Sequence, residues 1–179
     1  LDRKEIKKTI KEVHSDYISK LKHYVNIIGN HFLLSHSLND KSIKVFDASD
    51  NYTLLLYIRN AFTPRFTQYP LVMIFIDDVF HIVGESDQNK LKVWDNQENQ
   101  IDTLNIPYES AWDAETFYMD DQIYLLLPGR PGVILYDYKK KAIKDRYLIE
   151  GDNSLHTCAM IQRIKGTLTI VDANINGRI

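Results

Sequence analysis

A chain that repeats one strand–turn–strand plan every 45 residues or so can satisfy itself in few ways. This sequence has such a repeat. Its turns fall at Gly29-Asn30, Asp77-Asp78, Asp120-Asp121 and Lys165-Gly166, each between two apolar runs of strand length. The paired runs are Tyr24 to Ile28 with His31 to His36, and Val72 to Ile76 with Val79 to Gly84. Then come Thr116 to Met119 with Gln122 to Leu127, and Ala159 to Ile164 with Thr167 to Asp172. β-Branched and aromatic residues fill them, and a short polar turn between such runs marks a hairpin.

A second feature follows the first three hairpins. Each leads into a strand that ends in an aromatic residue and aspartate: Ile43-Lys44-Val45-Phe46-Asp47, Leu91-Lys92-Val93-Trp94-Asp95 and Val133-Ile134-Leu135-Tyr136-Asp137. A polar turn and a fourth apolar segment come next: Tyr52 to Ile58, Ile101 to Ile106, and Ala142 to Ile149. Each unit therefore holds four strands. A four-stranded sheet cannot cover both of its faces, and radial stacking of such sheets covers them. The aspartate stands where the third strand turns into the fourth, and its short carboxylate suits backbone amides there.

The fold expected is all-β: a partial β-propeller of four-stranded antiparallel blades, about three and a half of them, with a short N-terminal helix. The blades are expected near residues 23–60, 69–107 and 114–150, with an incomplete one at 156–179. Ile6, Ile10, Val13, Tyr17 and Leu21 recur at helical spacing among lysines, so residues 1–22 read as an amphipathic helix or the end of a coiled coil. Three and a half blades do not close a ring. The first residue is Leu rather than Met, so a segment of a longer protein, with more blades to follow, is expected.

These residues resemble the kelch repeat family. Gln122-Ile123-Tyr124-Leu125-Leu126 matches that family's first strand, Phe80-His81-Ile82-Val83-Gly84 and Phe32-Leu33-Leu34 less closely, and the three aromatic–aspartate pairs match its later strand. The family's double glycine and later tryptophan are missing. Ser42 to Asp47 and Trp94-Asp95 look equally like WD40 repeats, without the Gly-His signature of those. The resemblance covers roughly residues 24–179. It implies a protein-binding scaffold, recruiting a substrate or partner in a ubiquitin-ligase or cytoskeletal complex. A stem entering such a propeller is similar to the C-terminal part of proteins with a coiled coil and a B-box zinc module. The alternative is a propeller that acts as an enzyme or sensor for a small ligand, sugar or metal.

Composition narrows the partners. With 44% hydrophobic and 26% charged residues the chain is globular, and a net charge of −2 gives no reason to expect nucleic acid. No apolar run has the length of a membrane helix. One cysteine, Cys158, excludes an internal disulfide and fits a reducing, cytoplasmic setting.

No nucleophile elbow, phosphate loop or dinucleotide fingerprint occurs, so neither an enzyme nor a cofactor is expected. His31 and His36 are too unfavourably spaced on one strand to share a metal, and no metal is expected. Asp77-Asp78 and Asp120-Asp121 read as turn chemistry rather than catalytic pairs. Lys139-Lys140-Lys141, with Lys144 and Arg146 close by, reads as a solvated turn, with a weak anionic contact as the other reading. A protein partner is expected at the rim formed by loops between blades and between second and third strands. The residues expected there are Arg65, Tyr69, Tyr108, Trp112, Arg130 and His156.

Overall fold

The computed structural model describes residues 9–10, 13–61, 70–87, 90–106, 113–130, 132–148, 156–164 and 167–174. The chain forms two compact units, Leu1–Ala61 and Phe62–Ile179. Every regular element among the described residues is a strand, and no helix among them is long and apolar enough to cross a membrane.

The first unit holds one sheet. Its strands are β1 (Lys20–Val25), β2 (His31–Ser37), β3 (Ser42–Asp47) and β4 (Thr53–Ile58), hydrogen-bonded in chain order. The helix expected over residues 1–22 is not formed where the chain is described in its later part. Residues 13–19 are irregular, and Lys20 and Leu21 already pair with His36 and Ser35 of β2. Periodicity at 3–4 spacing over so few residues loses to the open edge of β2, which needs a hydrogen-bonding neighbour. The turn expected at Gly29-Asn30 is also longer. β1 ends at Val25, and the loop Asn26–Asn30 is closed by the Asn26 amide on the Asn30 carbonyl (3.1 Å) and by the Asn26 side chain accepting from the Asn30 amide (2.8 Å).

The irregular segment before β1 is held by polar side chains. His14 lies within hydrogen-bond distance of Asp40 (3.1 Å) and Ser42 (2.9 Å) through Nδ1 and of Ser35 (2.9 Å) through Nε2. Ser15 donates to Asp40, and Ser19 meets Nδ1 of the buried His36 at 2.9 Å. Burial first, and then the charges of Lys20 and His14, depress His36 to about 4. His14 is lowered too, by burial and by Lys44, against the pull of Asp40.

The second unit holds two further sheets and a hairpin. One sheet is β5 (Leu71–Ile76), β6 (Val79–Asp87), β7 (Lys90–Trp94) and β8 (Gln100–Asn105). The other is β9 (Glu115–Met119), β10 (Gln122–Gly129), β11 (Gly132–Asp137) and β12 (Ala142–Tyr147). The hairpin is β13 (His156–Ile164) and β14 (Thr167–Asn174); its expected turn at Lys165-Gly166 lies outside the described residues.

β10 and β11 show why the sequence reads as an unbroken apolar run here. Ile123, Leu125, Leu127, Ile134 and Tyr136 pack with Val72, Ile74, Val93 and Leu104 of the preceding sheet. The alternate residues Tyr124, Leu126, Val133 and Leu135 pack with Ala159, Ile161 and Ile170 of the hairpin. A sheet covered on both faces needs apolar side chains at odd and even positions alike. Tyr118 adds a polar link within this unit, its hydroxyl accepting from the Phe75 amide at 2.8 Å.

The aspartates that close the third strands behave as expected. Asp47 accepts from the amides of Ser49 and Asp50, Asp95 from those of Gln97 and Asn99, and Asp137 from that of Lys140. The aromatics before them, Phe46, Trp94 and Tyr136, are buried. A further repeat is invisible in the sequence. In each sheet the register slips at the same place, leaving Leu55, Ile101 and Lys144 as extra residues on the fourth strand. Such bulges bend and twist a strand.

Asp77 and Asp78 stand at φ 49° and 63°, and Asp120 and Asp121 at 50° and 58°. Both pairs are thus two-residue turns with left-handed central residues, which favour Asn-Gly. Replacing Asp77-Asp78 by Asn-Gly is expected to stabilise the chain by roughly 0.5 kcal/mol, the ~1 kcal/mol of left-handed strain relieved less the entropy glycine adds when unfolded. A small rise in urea midpoint checks it.

The depressed value of His36 fixes a sign. The unfolded chain takes up this proton first as pH falls from 6.5 to about 4, so stability present above that window is lost through it. The loss is about 3 kcal/mol. Urea titrations at pH 7 and pH 4.5 are expected to diverge less for His36→Phe than for the unaltered chain.

Candidate functional site

A concavity among the described residues lies inside the second unit, between the third sheet and the hairpin. It is an open cleft of about 620 Å³. Its floor comes from Phe117 and Met119 of β9, Leu135 of β11, and Ile161 and Ile170 of the hairpin. Lys144, Arg146 and Tyr147 of β12 stand on one side, and Leu168, Thr169 and Asp172 of β14 on the other.

Each wall has a local cause. Lys144 is the bulged residue of β12. Its ammonium lies 4.7 Å from the ring centroid of Tyr124 and donates to the Tyr124 hydroxyl at 3.0 Å. That hydrogen bond raises the lysine above its ordinary value, so the group stays cationic through neutral pH. Arg146 is exposed on the same strand. Burial and the neighbouring Asp145 carboxylate raise the Tyr147 phenol, which stays neutral. Beneath Tyr147 lies Gly132 at φ 130°, where a Cβ would clash with the Tyr147 carbonyl oxygen. Glycine there lets β11 begin close against the end of β12.

On the hairpin side, a bulge between His156 and Cys158 sets off the first residue of β13 from the regular ladder. His156 is 1% exposed. Its Nδ1 pairs with the Asp172 carboxylate, and its Nε2 has no hydrogen-bond partner among the described residues. A carboxylate on one imidazole nitrogen fixes the ring and leaves the other for a ligand. β14 carries a hydrogen-bonded neighbour on one side only among the described residues, since the hairpin order is β13-β14. Its outer edge faces the side where each of the other sheets has a third strand.

Of the expected rim residues, Arg65, Tyr69, Tyr108 and Trp112 lie outside the described residues. Arg130 is exposed in the turn between β10 and β11 and does not line the cleft. His156 lines it, as a buried side chain. The basic run is spoken for: Lys139 donates to the Asp121 carbonyl, Lys140 pairs with Asp137 and Lys141 with Asp102. Lys144 and Arg146 sit instead on a strand facing the cleft. Asp172 carries no sequence signal, because its partner His156 comes to it only through the hairpin register. Among the described residues no three His, Cys, Asp or Glu side chains converge as a metal cage.

The sheets define an all-β chain of partial β-propeller build. A solved structure of that fold is similar to it: the dihydro-heme d1 dehydrogenase NirN in complex with DHE, with TM-score 0.53 and 13% identity. The likeness covers 83% of this chain and 31% of that one, so this chain spans about a third of it. At that identity the likeness concerns the fold. No family model matches the chain, and no curated protein matches it in sequence.

Asp172→Ala is expected to cost about 1–3 kcal/mol, the penalty for leaving the buried His156 ring without a protein partner at either nitrogen. Urea unfolding of the variant against the unaltered chain measures it; an unchanged midpoint contradicts the pairing.

Proposed function

We propose that this chain is a recognition module of kelch- or WD40-like type that binds a partner protein, taking an extended acidic segment of it in the cleft beside β14. The observation that carries this reading is the meeting of two features there. Apolar side chains line the floor, and Lys144 and Arg146 stand over it. Apolar pockets supply affinity for an extended segment, and the charged wall supplies selectivity. The cations favour acidic residues on the incoming strand and reject basic ones. Such a module fits partner recruitment in a ubiquitin-ligase or cytoskeletal assembly.

A second reading has one specific support. The unpartnered Nε2 of His156 at the cleft suits a small ligand with a hydrogen-bonding group. His156→Phe would then abolish binding of a metabolite while sparing peptide binding.

Selection of displayed twelve-residue peptides against the full chain separates the two. Under the first reading, enriched peptides alternate apolar and acidic residues. The double variant Lys144→Glu, Arg146→Glu is expected to weaken their binding at least tenfold, whereas Lys92→Glu on β7 leaves it unchanged. Equal binding by the doubly reversed variant, with its strand content intact by circular dichroism, overturns the proposal.

A further inference from the structure

Two exposed histidines of the first unit stand together where no assigned role places them. His23 of β1 lies opposite Leu33, and His31 of β2 lies opposite Val25. Side chains alternate along strands, so the two histidines share a face as a diagonal pair. Nε2 of His23 is 2.9 Å from Nδ1 of His31, with ring centroids 5.1 Å apart and ring planes 24° apart. Both residues are exposed.

We propose that His23 and His31 form a two-nitrogen chelate for a divalent transition-metal cation with cis coordination, copper(II) foremost and nickel(II) next. Between the two nitrogens one proton is shared, donated by one ring and accepted by the other. For a metal to bind, the donating ring passes to its other tautomer, with the proton on its outer nitrogen and no net proton released, and each inner nitrogen then gives its in-plane lone pair to the cation. The 5.1 Å between ring centroids is nearly the longest that a 2.9 Å nitrogen contact allows, so the rings meet head-on in a hydrogen bond, and each must swing about its side-chain torsions to turn its lone pair onto a shared cation. Among divalent ions, imidazole donors bind copper(II) most tightly, above nickel(II) and zinc. Exposure leaves the remaining positions to water, and no third imidazole, carboxylate or thiolate joins the pair among the described residues. The site is therefore an exchangeable one. The strands supply its placement: β1 and β2 hold both side chains on one face across the hairpin before any metal arrives.

Copper(II) titrated into the full chain tests this, followed by calorimetry and electron paramagnetic resonance. The exposed thiol Cys158 is replaced by serine throughout, since it would react with copper. One copper per chain is expected, with hyperfine structure from two imidazole nitrogens and weaker binding of zinc. His23→Gln and His31→Gln are each expected to weaken copper binding at least tenfold, and the double variant little further, because either change destroys the chelate. His81→Gln is expected to change nothing. Retention of the untagged chain on immobilised nickel, lost in both single variants, is the second measurement. Equal copper affinity in the unaltered chain and the double variant overturns the site. Tighter binding of zinc than of copper overturns the assignment to copper.

Discussion

Everything in the second unit depends on the two-sided burial of β10 and β11. A single antiparallel sheet with one wet face tolerates polar residues at every second position. Ile123 through Leu127 has no such position, because Ile123 and Leu125 meet the preceding sheet while Tyr124 and Leu126 meet the hairpin. Removing either neighbour would expose a continuous apolar face, and the hydrophobic cost of that exposure ties the three pieces together. The aromatic residue that ends β11 is part of this covering. Tyr136 is 1% exposed, and it lies one position before an aspartate that ends the strand.

The same local device then recurs with different outcomes. In each sheet the fourth strand carries one extra residue opposite the third strand's end. At Leu55 and Ile101 the extra residue is apolar and left partly exposed. At Lys144 it is a cation laid over Tyr124 and turned to the cleft. One irregularity of backbone thus becomes, in a single sheet, part of a cleft wall. Arg146, two positions on, extends it along β12, while the lysines of the preceding turn are engaged by Asp121, Asp137 and Asp102. Sequence proximity of five basic residues conceals that division of labour.

The histidines divide in a similar way. His14 and His36 are enclosed by serines and Asp40, where burial holds them neutral and ties the segment before β1 to the first sheet. His156 is enclosed in the second unit, oriented by Asp172. His23 and His31 lie in the open and face one another. Three environments for one residue type give a buried structural pair, a ring oriented by a carboxylate and an exposed facing pair, without any change of chemistry in the side chain itself.

Strand positions after β1, the polar turns at Asp77-Asp78 and Asp120-Asp121, the blade-length period and the turn-closing aspartates were legible in the sequence, because each is set by a few neighbouring residues, whereas β1, expected at Tyr24 to Ile28, runs over Lys20–Val25. Conformational preference and short-range hydrogen bonding act over that distance. The segment from Val13 to Leu21 misled for the same reason: its local spacing suits a helix, while the edge of β2 that claims Lys20 and Leu21 lies elsewhere in the chain. Register belongs to tertiary structure alone. Only strand pairing brings His23 beside His31, Asp172 to His156, and an unmatched Lys144 over Tyr124, since a shift of one residue would send each side chain to the opposite face.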